Sequence, residues 1–261
     1  MEVRLFPNPL RPGVGLKPRR EGTRPMLPQH SRHCPVLEAG SALGFMVYAP
    51  LEEKESYYIE HEGEGVFKFV YYLQDKTGKP APIFVVTMRM PVGGVGMVKE
   101  EVQVLNAPIS KEDALKVARV FLVVENMGVP PGGVALRGAT SFMTEEGWDT
   151  VYGSILNMIE RPSAPALFVR VETDWYAHDS EFRYVLQPGE GITVAQSIPI
   201  GQVFFVPRDE ITMRDCTEAE LQTIRESQKA FLRHKHDVAQ QTAYGLTVSP
   251  HYIRESRARR S

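Results

Sequence analysis

The chain is poor in cysteine, in long apolar runs and in catalytic signatures. Its 261 residues include only Cys34 and Cys216, too few for a disulfide framework or a four-cysteine zinc site, so two reduced thiols are expected. The longest apolar stretches, VFLVV at 120–124 and VFFV within 202–206, stop far short of the roughly 20 residues that a membrane-spanning helix needs. The opening MEVRLFPNPLRPG has no apolar core of a secretory signal. A cytoplasmic location with no membrane contact is therefore expected. No Gly-x-Ser-x-Gly elbow occurs, which leaves a serine hydrolase of that type without support. GVPPGGVALRG lacks the Gly-Lys-Ser/Thr of a phosphate loop, and Gly94-Val-Gly96 lacks the third glycine and following helix of a dinucleotide fingerprint.

What is present is an ordinary globular composition, 43% hydrophobic and 24% charged, enough to bury a core. The net charge of −2 is unevenly spread. Residues 1–35 carry +5 and residues 254–261 carry +3, leaving −10 on the body between them. Basic ends on an acidic body suit docking onto the chain itself, onto a neighbouring subunit or onto nucleic acid. Neither tail interleaves aromatics with its basic residues, so nucleic acid is the minor possibility.

Residues 1–35 hold seven prolines and no apolar periodicity, which predicts a basic, extended arm that docks on a protein partner or supports self-assembly. From 36 to 216 short β-like segments follow one another: 44–51, 65–74, 82–90, 97–105, 166–175, 181–187, 191–198 and 201–207. In GVFKFVYYLQ the alternation sends Phe67, Phe69, Tyr71 and Leu73 to one strongly apolar face. A helical insert is expected at about 108–160. Ser110 is its N-cap, Ala114, Leu115, Ala118, Phe121 and Leu122 lie at helical spacing, and Gly128 ends the first helix. VPPGGVALRG (129–138) reads as loop, and Trp148, Val151, Tyr152, Ile155 and Ile159 fit a second helix slightly better than a strand. A C-terminal helix at 217–240 starts from a Thr217/Glu220 capping box, and 241–261 is a basic tail. Strand runs with inserted and appended helices predict a mainly β fold, a β-sandwich or jelly-roll-like barrel.

The stretch QPGEGITVAQSIPIGQVFFVP (187–207) resembles part of a cupin-type barrel. Pro199-Ile-Gly201 matches that family's turn, but Phe204 and Arg208 stand at its His and Asn positions. The one His-x-His, His234-Lys-His236, lies in the C-terminal helix, where i and i+2 side chains diverge. The expectation is a cupin-like fold without the metal motif, with no metal and no cofactor. Other sets remain open: His30, His33 and Cys34 in the arm; Asp174 with His178 as an acid–base pair; His61, His178 and Glu172 as a facial triad. Trp175, Phe182 and Tyr184 read as core or sheet-face aromatics, with a sugar or base platform as the alternative.

One further block carries a resemblance. Glu172-Thr173-Asp174-Trp175, Arg183, the Pro188-Gly189 turn and Val206-Pro207-Arg208 resemble the signature of an uncharacterised domain-of-unknown-function family of bacteria and their phages. CPVLEAGSALGFMVYAP resembles that family's early segment, with Phe45 where the family usually has Trp, and the C-terminal helix is also family-like. The resemblance spans about half the chain and departs over 75–165. It implies a shared fold, brings no activity or catalytic residue, and adds a virion-associated location as an alternative.

Two functional readings follow. In the first, the protein is a non-enzymatic structural or interaction protein, oligomeric or phage-related, that docks through its arm. In the second, it is a small-molecule-binding or cupin-like enzyme whose pocket is lined by Glu172, Asp174, Trp175, Arg183 and Arg208. Against that pocket stands a plain salt bridge between Asp174 and Arg208 that pins two strand ends. The first reading is preferred.

Overall fold

The computed structural model describes residues 1–22, 34–89, 99–123, 130–158, 166–241, 245 and 247–259. They form two compact units, Met1–Arg208 and Asp209–Ser261. Strand takes 40% of the chain and helix 21%, a mainly β, sandwich-like fold with a C-terminal helix, as expected.

The first unit contains a five-stranded antiparallel sheet. Its strands are β3 (Glu55–Gly63), β4 (Val66–Gln74), β5 (Pro80–Arg89), β6 (Lys99–Val104) and, beside β3, β14 (Gly191–Ala195). Sequence chemistry fixes its hairpins. Glu64 and Gly65, both at positive φ, make the two-residue turn between β3 and β4 that matches strand twist. After β4 the Asp75 carboxylate accepts from the Thr77 and Lys79 amides at 2.7 and 3.0 Å and closes the next turn. The apolar face of β4 is borne out, with Phe67, Phe69 and Tyr71 buried and Leu73 at the exposed end.

Helix α1 is Pro35–Ser41, and α2 is Lys111–Phe121, capped by Ser110, whose hydroxyl accepts from the Asp113 amide at 3.0 Å. Phe121 ends α2 inside the core, with its ring 5.1 Å from Tyr57 and 5.9 Å from Tyr71. Next to it lies a four-stranded sheet in the order β11 (Ala166–Leu167), β13 (Glu181–Val185), β8 (Gly133–Arg137), β7 (Leu122–Val123). A second four-stranded sheet has the order β12 (Val169–Val171), β10 (Trp148–Gly153), β15 (Pro199–Pro207), β2 (Phe45–Tyr48). Side chains from all three sheets meet in one core that includes Val47, Ile59, Phe84, Leu136, Tyr152, Phe182 and Val203.

Three expectations need correction. Among the described residues of the expected helical insert at 108–160, the one helix is α2. Residues 133–137 and 148–153 are strands rather than loop and helix, and β10 hides Asp149, Thr150, Tyr152 and Gly153 on both faces, which erases the period-two signal. Pro199-Ile-Gly201 is a bulge within β15, with the turn just before it. There Gly201 leaves room for the Phe182 ring, which a Cβ would strike. Of the three docking surfaces open to the basic arm, the chain's own body takes its first part. Strand β1 (Arg4–Pro7) pairs antiparallel with β9 (Thr140–Met143), the Asn8 amide donates to the Ala139 carbonyl at 3.0 Å, and Arg19 bridges to Met46. Residues 1–22 thus lie on the chain's own body; 23–33, with His30 and His33, lie outside the described residues.

The second unit holds α3 (Glu218–Asp237), a two-stranded pair β16 (Gln240–Gln241) and β17 (Thr247–Val248), and α4 (His251–Ala258). The Thr217/Glu220 capping box is present. Arg214, together with bonds from Thr217, holds the Glu220 carboxyl at about 2. Among the described residues no helix is long and apolar enough to cross a membrane.

Candidate functional site

Three strand ends converge at one edge of the β12–β10–β15 sheet. Register sets Asp149 of β10 opposite Val206 of β15, and Arg170 of β12 opposite Val151 of β10. Arg208 is the first residue after β15, and its amide donates to the Gly147 carbonyl at 2.8 Å, which aims its side chain over β10. Asp149 is 2% exposed. Its Oδ1 accepts from Arg208 Nε at 3.0 Å and Nη2 at 2.6 Å, and its Oδ2 accepts from Arg170 Nε at 2.6 Å.

The loop after β12 completes the knot. Asp174 Oδ1 accepts from Arg208 Nη2 at 2.7 Å and its Oδ2 from the Gly147 amide at 3.0 Å. Glu172 lies 3.7 Å from Arg208 and accepts from the Trp175 indole N–H at 2.7 Å. Beneath them Thr173, fully buried, meets the hydroxyls of Thr144 and Thr150 at 3.0 and 2.6 Å. The turn is therefore fixed from below by hydroxyls and from the side by a guanidinium.

Electrostatics follow from these contacts. Burial opposes the charge on Asp149, but the Arg208 and Arg170 guanidiniums outweigh it and hold the carboxyl below the usual range. Arg208 does the same for Asp174, and both carboxylates raise Arg208 further. Groups shifted this way keep their charges across the physiological range. They position; they are not tuned to exchange protons near neutrality.

Of the five expected site residues, Glu172, Asp174, Trp175 and Arg208 come together, and the Asp174–Arg208 salt bridge is the pinning contact weighed in the sequence. Arg183 does not join them, because β13 belongs to the other four-stranded sheet, where Arg183 sits 3.5 Å from Glu181. Two members were missed, Asp149 and Arg170. Their signal was an Asp inside a strand too apolar to leave it unpaired, in GWDTVYG. Phe182 and Tyr184 are core, but Trp175 is 69% exposed and Tyr176 49%, which corrects the core reading of Trp175.

Among the described residues the other chemistries do not assemble. Arg208 and Gly147 take both oxygens of Asp174, while His178 stacks on Tyr176 with centroids 5.6 Å apart. His61 is buried in β3, stacked on Phe67 at 4.8 Å, with Nδ1 2.8 Å from the Leu186 carbonyl, so it does not converge with Glu172. Among the described residues no three His, Cys, Asp or Glu side chains could hold a metal ion. No family model matches this chain, and no curated protein does.

Proposed function

We propose that the chain is a non-enzymatic interaction protein whose sandwich serves as a rigid frame for a protein-docking face at Trp175 and Tyr176. The carrying observation is an exposed tryptophan on a turn that is already fixed. Its indole is held by Glu172, and its neighbours are pinned through Asp174 and Arg208. A rigid, exposed aromatic beside arginine loses little entropy on docking and has the composition of an interface anchor. Kinship with the uncharacterised bacterial and phage family belongs to the same proposal, and its support is the 172–208 block. The arm supports the same reading as part of the frame: residues 1–22 pair with β9, bridge to Met46 of β2 and grip Glu55 of β3 through Arg11.

The small-molecule alternative retains one specific observation away from the charged knot. A groove of about 370 Å³ is lined by Val3, Leu5, Arg20, Phe45, Phe142 and Phe205, with Arg20 over the Phe45 ring at 4.8 Å. Such a groove fits an apolar molecule bearing an anionic group.

The test is photocrosslinking in the cells that express the protein, with benzoylphenylalanine at position 176 and, as control, at exposed Lys76. A discrete protein adduct at 176 that Trp175→Ala abolishes is the expected result. Adducts indistinguishable from the Lys76 control would overturn the docking face.

A further inference from the structure

A second surface points to a different partner. Helix α3 is 20 residues long, about 30 Å at the helical rise, yet none of its side chains is buried. Helix α4 covers one side of it, with the His251 ring 4.7 Å from Phe231 and 5.5 Å from His234. Ser227 and Ala230 line the same cleft. The adjoining face carries Leu221, Ile224, Gln228, Leu232 and Lys235, spaced three or four residues apart as on a packing seam. Ile224 is 43% exposed and Leu232 60%. A helix of this length draws most of its stability from packing an apolar face, and α4 leaves this one uncovered.

Charge identifies what fits there. The first half of α3 has Glu218, Glu220 and Glu226 against Arg225; the second has Lys229, Arg233 and Lys235 against Asp237, with His234 and His236 beside them. This polarity complements the helix's own dipole. It also makes α3 complementary to a reversed copy of itself and repulsive to a parallel one.

We propose that α3 is the seam of a homodimer in which two copies of the chain pair antiparallel about a twofold axis near Gln228. In that register Ile224 packs on the partner's Leu232 and the reverse, as an isologous interface requires. Leu221 lies along the stem of the partner's Lys235, and Glu218 faces the partner's basic helix end. A single helical seam is at the small end of specific interfaces, so dissociation is expected in the micromolar range.

The experiment uses the full chain in a Cys34→Ser/Cys216→Ser background. Sedimentation velocity at tens of micromolar should show a dimer, and Ile224→Glu with Leu232→Glu should make it monomeric with unchanged helical circular dichroism. Under mild oxidation Gln228→Cys should crosslink to itself. Leu221→Cys should not, but should crosslink when mixed with Lys235→Cys. Glu218→Lys should weaken the dimer a few-fold, and adding Lys235→Glu should restore it. A wild-type monomer overturns the proposal, as does self-crosslinking of both Leu221→Cys and Lys235→Cys, which marks a parallel pair. A dimer that persists in Trp175→Ala/Tyr176→Ala keeps this seam separable from the docking face.

Discussion

Among the arginine–carboxylate clusters of the first unit, a comparison of two separates anchoring from display. In one, Arg11 grips Glu55 through both guanidinium nitrogens at 2.6 and 2.8 Å, while the Tyr71 hydroxyl and the Glu52 amide donate to the same carboxylate at 2.5 and 2.7 Å. Glu55 is 7% exposed, and the Arg11 side chain over it is mostly covered. In the other, Asp149 is just as deep, but its arginines reach the rim and the loop they fix carries Trp175 outward. The same chemistry ties a proline-rich arm to the body in one place and presents an aromatic side chain in the other. What differs is the loop on top.

The largest effect should come from breaking the closed knot. Glu55→Ala strands the Arg11 charge and the buried Tyr71 hydroxyl, and should cost about 3 kcal/mol, a fall of roughly 10 °C in Tm by scanning calorimetry. The same change should release residues 1–22 to limited proteolysis. Asp149→Asn should cost less, about 1–2 kcal/mol, because Arg208 and Arg170 stay hydrated at the rim when their partner is neutralised. If the two variants lose equal stability, the distinction between closed and open knots fails.

Acid should weaken both knots together. Burial opposes ionisation of Glu55, yet Arg11, the Glu52 amide and Tyr71 pull its carboxyl below the usual value, as the two arginines do for Asp149. A depressed carboxyl adds stability that is complete above the ordinary carboxylate pKa, about 4, and is lost as pH falls through the folded-state value. Arginine stays charged throughout and sets no window of its own. Denaturation midpoints should therefore decline below roughly pH 4, and Glu55→Gln with Asp149→Asn should flatten that decline. The smallest effect belongs to Trp175→Ala, which should change stability by less than about 0.5 kcal/mol while abolishing the crosslink at position 176.

The sequence made the regular parts of this fold legible and left the crowded ones obscure. Strand β4 is legible because Phe67, Phe69 and Tyr71 fill one packed face while Val66, Lys68 and Tyr72 on the other stay half-exposed. Strands β8 and β10 are sandwiched between neighbours and buried on both faces, where alternation has no physical cause. Proline content tells that the arm has no core of its own but not where it docks; for residues 1–22 the answer is a pairing with β9, far along the chain. Of the site, Glu172, Asp174 and Trp175 were legible because they are contiguous. Asp149 lies 59 residues from Arg208, a separation that only strand order closes. Arg183 was included because strand adjacency in sequence does not say which sheet a strand joins.

The most direct measurement is a carbon-13 titration of the Asp149 and Asp174 carboxyl groups in the folded protein, each assigned by its Asn variant. If the knot exists to position Trp175, both midpoints fall below the ordinary aspartate value of about 3.9, and Arg208→Gln raises both. A carboxyl there that titrates near neutrality would be a group built to move protons, and would contradict the reading of this site as a fixed docking face.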